Sequence, residues 1–138
     1  MRRTGQDVDE FIAQVVPAVR RRDAATLVDL MRRVTGEEPE MWHPGIVGFG
    51  LHHYDSASGG GQTGAAGFAP RRPSTVVYLA EGIDSHADAL SRLGPHTTGR
   101  VCLYLKNLDD IDLAVLEDIV RASYETVTAA EHGQLEGR

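Results

Sequence analysis

Apolar residues first recur with a period of two in the stretch Ile46-Val47-Gly48-Phe49-Gly50-Leu51-His52-His53-Tyr54. Successive side chains of an extended chain point to opposite sides, so this alternation predicts a β-strand over residues 46–54. Gly48 and Gly50 leave part of one side without side chains. They are compatible with a bulge, with the close approach of another backbone or of a ligand, or with dense packing against a helix.

Three more strands are predicted on the carboxyl side of this stretch. They cover residues 65–69, 75–79 and 101–105, and the first of them stops at Pro70, which cannot donate to a sheet ladder. Residues 56–64 contain three consecutive glycines and are predicted to form a flexible loop.

Two helices are predicted before these strands. Asp7 followed by Glu10 is a capping pattern that predicts a short helix to about residue 16. Pro17 suits the first position of a second helix, which Gly36 is expected to end. The arginines of this second helix are interleaved with acids, which indicates a solvated face; they are Arg20, Arg21, Arg22, Arg32 and Arg33, with Asp23 and Asp29.

Two more helices are predicted in the second half of the chain. Ser85 and Asp88 form a capping box for a short helix that closes at Gly94-Pro95, and Asp112 caps a long final helix. Residues 131–138 are expected to fray. Helices laid on one face of a mostly antiparallel sheet follow from this order, so the expected fold is an α+β two-layer sandwich.

Length and charge limit the possible functions. With 138 residues the chain is expected to form one domain, with a core over about 8–127. A formal charge of −6 argues against general nucleic-acid binding. We find neither a leader peptide after Met1 nor an apolar run long enough to span a bilayer, so we expect a cytoplasmic protein that binds neither membranes nor nucleic acids.

Enzyme signatures are missing from the sequence. The glycines of Gly59-x-Gly61-x-x-Gly64 resemble a dinucleotide fingerprint, but they stand between two strands instead of leading into a helix. Cys102 lies in an apolar strand and is expected to be a small core residue. No nucleophile and base can be paired, so no catalytic residue is assigned and an enzyme is not favoured.

A group of cations and hydroxyls surrounds the last two predicted strands. Arg71 and Arg72 follow one strand, His96-Thr97-Thr98-Gly99-Arg100 precedes the next, and Lys106 ends it. Arginine grips carboxylates and phosphates through paired hydrogen bonds, so converging side chains here would hold a small anion. The alternative is that these groups tie loops to carboxylates elsewhere in the protein.

Several separated strings resemble the YdhG-like family, a bacterial domain of unknown function. The strings are Met41-Trp42, Ile46-Val47-Gly48-Phe49-Gly50 with Tyr54, Gly67-Phe68-Ala69-Pro70-Arg71-Arg72, Leu93-Gly94-Pro95-His96-Thr97-Thr98-Gly99-Arg100 and Cys102-Leu103-Tyr104-Leu105-Lys106. The chain departs from the usual pattern at Ala69, Arg72, Pro95 and Arg100. The resemblance implies a frataxin-like fold and an iron chaperone that holds metal loosely.

Two binding hypotheses follow. The resemblance implies a loose iron or other metal carrier, for which the candidate contacts are Asp7, Glu10, His53 and Asp55. The second hypothesis is a pocket for a small anion or an acidic peptide, for which the candidate residues are Trp42, Tyr54, Arg71, Arg72, His96, Thr98, Arg100 and Lys106. The ligand and any protein partner are not specified by the sequence, and the protein is either a monomer or a homodimer.

Overall fold

A seven-stranded antiparallel sheet and the helices on one of its faces make up the two main layers of the molecule. The structure is a computed structural model that describes residues 2–55 and 59–136. Its strands are β1 (Arg2–Arg3), β2 (Glu40–His43), β3 (Ile46–Phe49), β4 (His52–Tyr54), β5 (Gly61–Thr63), β6 (Ala66–Pro70), β7 (Thr75–Tyr78), β8 (Thr97–Thr98) and β9 (Cys102–Leu105). Its helices are α1 (Val8–Ala13), α2 (Ala18–Thr35), α3 (Ala87–Leu90) and α4 (Leu113–Glu136).

The main sheet has the order β1-β2-β3-β6-β7-β9-β8, and all of its pairings are antiparallel. The hairpin β4-β5 forms a second, two-stranded sheet. The predicted α+β class with two layers is therefore confirmed. Within the described part of the chain, no helix has both the length and the apolar character needed to cross a membrane.

The two faces of the main sheet have different cores. Val47, Phe68 and Leu103 alternate inward along their strands and pack with α2 and α4 in the larger cluster. A smaller cluster on the opposite side, the outer face, is built from Trp42, Ile46, Ala69 and Val76, with Leu51, Tyr78, Cys102 and Tyr104 packed against it. This smaller cluster contains no residue of a helix in the described chain, so helices cover only the inner face.

The predicted strand over residues 46–54 is wrong as one element. The chain turns at Gly50, which has a φ of +72°, and the two parts belong to different sheets. The predicted loop over residues 56–64 is also wrong in part, because Gly61–Thr63 pairs with His52–Tyr54. A Cβ atom on Gly61 would lie 2.7 Å from the Tyr54 hydroxyl, so glycine here lets the aromatic ring lie against the partner strand. Residues 56–58 lie outside the described chain.

The structure shows why β3 contains Gly48, for which the sequence left several explanations open. A Cβ atom on Gly48 would lie 2.6 Å from the Trp42 ring and 3.4 Å from the Cα atom of Gly64. Close approach of an aromatic side chain and of a neighbouring backbone therefore explains this glycine, whereas helix packing does not.

Most helix signals are confirmed, and one is wrong. The Glu10 N–H donates to Asp7 Oδ1 at 2.9 Å, Gly36 ends α2 with a φ of +71°, and the N–H groups of residues 114 and 115 donate to Asp112 Oδ1. The capping box at Ser85 and Asp88 is absent, because the segment divides into a 3₁₀ turn and the four-residue α3 without a side-chain cap. Helix α4 runs to residue 136.

The arginine-rich face of α2 is only partly solvated. Arg20 is 4% exposed and Asp23 is 1% exposed, and their side chains lie 3.8 Å apart. The expectation that both belong to a solvated face is therefore wrong. Burial of this pair attaches α2 to the end of β9 and to the segment that follows it.

Candidate functional site

A cavity of about 690 Å³ lies at the end of the outer face where β7 begins and β9 ends, and we call it the main cavity. Its floor is the side-chain pair Val76 and Tyr104, which are direct partners in the antiparallel register of β7 and β9. Its walls come from the turn before β7, from the segment entering β8 and from the segment after β9; they are Arg71, Pro73, Ser74, Pro95, His96, Thr97, Lys106, Asn107 and Asp110.

Two cations line this cavity, Arg71 and Lys106. Among the described residues, Arg71 and Lys106 form no ion pair, whereas Arg3, Arg33 and Arg121 each lie within 3.0 Å of a carboxylate. One Arg71 Nη2 hydrogen bond goes to the carbonyl oxygen of Pro44, at 2.6 Å. A guanidinium has five N–H donors, so this bond orients the group and leaves donors for a ligand.

The two turns of the sheet keep Arg71 in place. Its backbone N–H donates to the Ser74 carbonyl oxygen at 3.0 Å, which closes the turn between β6 and β7. Its guanidinium lies beside the turn between β2 and β3, where a Cβ atom on Gly45 would be 3.0 Å from Nη1. Arg71 therefore has a structural role in joining two turns as well as a place at the cavity.

His96 contributes one ring nitrogen to the cavity. Its Nδ1 lies 2.7 Å from the Gly94 carbonyl oxygen, which accepts hydrogen bonds but cannot donate them. Nδ1 must therefore carry the proton, and the Nε2 atom is left as an acceptor in the neutral ring or as a donor in the charged one.

Tyr104 keeps the floor of the cavity uncharged. Its hydrogen bond to the Cys102 side chain, with smaller contributions from the charge of that group, from lost hydration and from Tyr78, raises the pKa of the phenol above the ordinary value of 10.0. The phenol therefore stays protonated at neutral pH. Cys102 itself is a free, half-buried cysteine that packs against the outer cluster.

Asp110 is the one carboxylate among the residues that line the main cavity. It is exposed and forms no ion pair among the described residues. Its charge opposes an incoming anion and favours a cation, so the balance of charge at the cavity is two fixed cations against one carboxylate. The net charge of the lining is positive although that of the whole chain is −6.

A buried network holds the segment that carries Lys106. Arg20 donates to the Thr75 hydroxyl at 3.1 Å, to the Leu105 carbonyl oxygen at 3.3 Å and to the carbonyl oxygen of Lys106. Asp23 Oδ2 accepts the N–H of Leu108 at 3.1 Å. The backbone on both sides of Asn107 is thereby fixed to α2, which gives the cavity a rigid wall.

The structure brings together only part of the predicted anion site. Arg71, His96 and Lys106 line the same cavity. The other predicted residues lie outside it: Trp42 is 2% exposed and stacks under Arg3 at 5.1 Å, Tyr54 lines a different cavity, and Arg72, Thr98 and Arg100 are exposed away from the lining.

Thr97, which the prediction passed over, lines the cavity in place of Thr98. Thr97 is paired with Tyr104 and so shares its side of the sheet, whereas Thr98 is paired with Leu103, which is fully buried in the inner core. Which of the two threonines faces the cavity is set by the pairing of β8. This strand has only two residues, so the sequence carries no alternating pattern that predicts it. Ser74, Tyr104 and Asn107 were also missed, and their only signal was proximity in sequence to Arg71 and Lys106.

The residues proposed for a metal do not assemble into a site in the described chain. Asp7 caps α1 and Glu10 lies exposed in the first turn of that helix. His53 lies on β4, where its Nε2 is 2.9 Å from Gln62 Nε2, and Asp55 follows this strand. Over residues 2–55 and 59–136, no group of three or more histidine, cysteine, aspartate or glutamate residues is arranged to hold a metal ion.

Comparisons of this chain with family models, with curated proteins and with solved structures find no match. Its function is therefore inferred from the main cavity and from the residues that line it.

Proposed function

We propose that the protein binds a small molecule that carries an anionic group, a carboxylate or a phosphate, on an apolar body. The observation that carries this proposal is the placement of Arg71 and Lys106 at the rim of one cavity with an apolar floor. Neither cation has a carboxylate partner in the part of the chain that the structure describes. Val76 and Tyr104 supply that floor, and the hydroxyl groups of Ser74 and Thr97 supply further hydrogen-bond partners.

The expected affinity is modest. Charge-assisted hydrogen bonds contribute about 1.5–3 kcal/mol each, so contacts from Arg71 and Lys106 together supply roughly 3–6 kcal/mol. Association costs at least about 4 kcal/mol in lost freedom of motion. Burial of the apolar body on Val76 and Tyr104 must therefore supply the remainder, at about 25 cal/mol for each Å² removed from water. An inorganic anion alone is expected to bind weakly.

We also infer, from the resemblance, that the chain is a cytoplasmic YdhG-like protein whose sandwich is of the frataxin-like kind. In its support, the strings that carry the resemblance include Arg71, His96, Thr97, Tyr104 and Lys106, all of which line the main cavity. The iron-carrying activity that the same resemblance implies has less support, because Asp7, Glu10, His53 and Asp55 belong to no metal-binding group in the described chain.

The proposal is tested by calorimetric titration with hexanoate, with hexanol as the uncharged counterpart and inorganic phosphate as the anion without an apolar body. We expect hexanoate to bind more tightly than either. The variants Arg71→Gln and Lys106→Gln should each weaken hexanoate binding about tenfold, the loss of one charge-assisted contact. The matched control is Arg72→Gln, since Arg72 is an adjacent exposed arginine outside the cavity lining.

Equal affinity for hexanoate and hexanol would contradict the proposal, as would unchanged binding in both cavity variants. Because Arg71 also donates to Pro44, its variant is checked by thermal unfolding before titration. Lys106 has no hydrogen bond or ion pair of its side chain within the described residues, so Lys106→Gln tests the charge without a structural contact being lost.

A further inference from the structure

A second cavity, of about 360 Å³, lies on the same outer face between the β4-β5 hairpin and the main sheet. Ile46, Gly67 and Tyr78 form its floor, and Ala80 and Val101 lie at its side. Its lining contains no lysine, arginine, aspartate or glutamate. The second cavity therefore has room for an apolar group. It has no fixed charge that could pair with an ionised group.

The two cavities are neighbours along β7. Val76 belongs to the main cavity and Tyr78 to the second, and two residues of a strand span about 7 Å. Tyr104 and Cys102 are their partners on β9, and all four side chains pack on the outer cluster. Because the helices cover only the opposite face, the strip formed by Val76, Tyr78, Cys102 and Tyr104 connects the cavities without an intervening helix.

We propose that one ligand occupies both cavities: an anion with an extended, unbranched apolar chain. This inference rests on the proposed function of the main cavity. The fixed cations lie at one end only, so charge sets the direction, with the anionic group at Arg71 and Lys106 and the chain end in the second cavity. The path between the cavities crosses the half-buried rings of Tyr78 and Tyr104, an apolar surface that suits an extended alkyl chain.

A chain-length series tests the inference. Linear alkyl carboxylates from butyrate to tetradecanoate, and alkyl phosphates of the same lengths, are titrated below their critical micelle concentrations. We expect affinity to rise about fourfold for each added methylene that leaves water, and to reach a plateau once the chain fills the second cavity. The tighter of the two series identifies the head group.

The variant Ala80→Phe places a ring at the side of the second cavity from an exposed position, so the fold is expected to tolerate it. Butyrate should bind this variant as it binds the unaltered protein, while dodecanoate should lose at least tenfold in affinity. Ala25→Phe, at an exposed position of α2, is the matched control and should change neither affinity.

The outcomes separate the two proposals. If carboxylates bind with an affinity independent of chain length, or if Ala80→Phe leaves dodecanoate binding unchanged, this inference is overturned and the anion site of the main cavity stands. If no carboxylate or phosphate of any length binds, the proposed function fails, and this inference fails with it.

Discussion

At the scale of single residues, the charge balance of the main cavity depends on Asp110. Arg71 and Lys106 attract an anion, and the Asp110 carboxylate opposes it from the same lining. Removing one charge from the lining is therefore expected to change the binding affinity measurably, since two unit charges 4 Å apart interact by about 1 kcal/mol in water.

We predict that Asp110→Asn tightens hexanoate binding about fivefold at low salt, because it removes the one opposing charge of the lining. The gain should shrink as the salt concentration rises, since salt screens charges at exposed positions. Calorimetric titration at two ionic strengths measures both effects. Asp84→Asn, an exposed acid outside the lining, should leave affinity unchanged. Weaker binding by Asp110→Asn would show that this carboxylate contributes a favourable contact.

A second residue-scale prediction concerns Gly48. Gly48→Ala should lower the free energy of unfolding by about 1–3 kcal/mol, the usual result of overpacking a core. The added Cβ atom would lie 2.6 Å from the ring of Trp42, which is 2% exposed and has little room to move. Urea unfolding measures the change. Gly99→Ala is the matched control, since its Cβ would meet nothing closer than 3.4 Å. Equal stabilities of the two variants would contradict this packing argument.

At the scale of elements, the attachment of α2 to β9 links stability to the cavity wall. Arg20 and Asp23 are both buried; Arg20 donates to the carbonyl oxygens of residues 105 and 106 and to the Thr75 hydroxyl. Asp23 accepts the N–H of residue 108 and also pairs with the half-exposed Arg22 at 2.9 Å. Such a pair contributes little by being present but is costly to break, because the remaining charge stays buried.

Asp23→Ala should therefore destabilise the protein by about 3–5 kcal/mol, because it leaves Arg20 without its buried carboxylate and the Leu108 N–H without its acceptor. We also expect weaker hexanoate binding, since the segment that carries Lys106 loses an anchor. Chemical unfolding and titration are the two measurements. Asp29→Ala, an exposed acid of the same helix, is the control. A loss below about 1 kcal/mol would contradict the assigned role.

Helices α2 and α4 are also joined by charge, which makes their contact dependent on pH. Glu117 lies 2.6 Å from Arg33 and 2.9 Å from Arg121, and these two hydrogen-bonded arginines lower the pKa of its carboxyl below the ordinary 4.5. A lowered pKa in the folded state means that the ionised form is the stabilised one. The contribution is present at neutral pH and is lost as the pH falls below about 4.5, through the folded-state pKa.

We therefore expect Glu117→Gln to lower the free energy of unfolding slightly at pH 7, and we expect this difference to shrink as the pH falls below about 4.5 and the Glu117 carboxyl becomes protonated. Thermal unfolding across this range measures the difference, and high salt should reduce it because the groups are at the surface. Glu125→Gln provides the control, since Glu125 forms no ion pair in the described chain. A difference that grows as the pH falls would contradict the assignment.

At the scale of the whole molecule, a ligand that binds only the folded chain stabilises all of it. At a free concentration one hundred times its dissociation constant, hexanoate should add about 2.7 kcal/mol. For a domain of this size that corresponds to a rise in Tm of roughly 10 °C. Scanning calorimetry measures the shift, and the double variant Arg71→Gln/Lys106→Gln should show little of it at the same concentration. An equal shift in both proteins would place binding outside the main cavity.

The sequence by itself determined the class of fold and most of the helices, because the signals involved are local. Apolar periodicity, the caps at Asp7 and Asp112 and the stop at Gly36 each depend on a few neighbouring residues. It also singled out Arg71, His96 and Lys106, although it left open whether they meet.

Only the tertiary structure decided which side chains share a cavity, because that depends on pairing between segments distant in the chain. The register of β8 on β9 puts Thr97, and not Thr98, beside Tyr104. The turn at Gly50 puts the hairpin β4-β5 in a separate sheet, and Tyr54 of this hairpin lines the second cavity. Burial of Arg20 likewise needed a partner on β9 that no local pattern reveals.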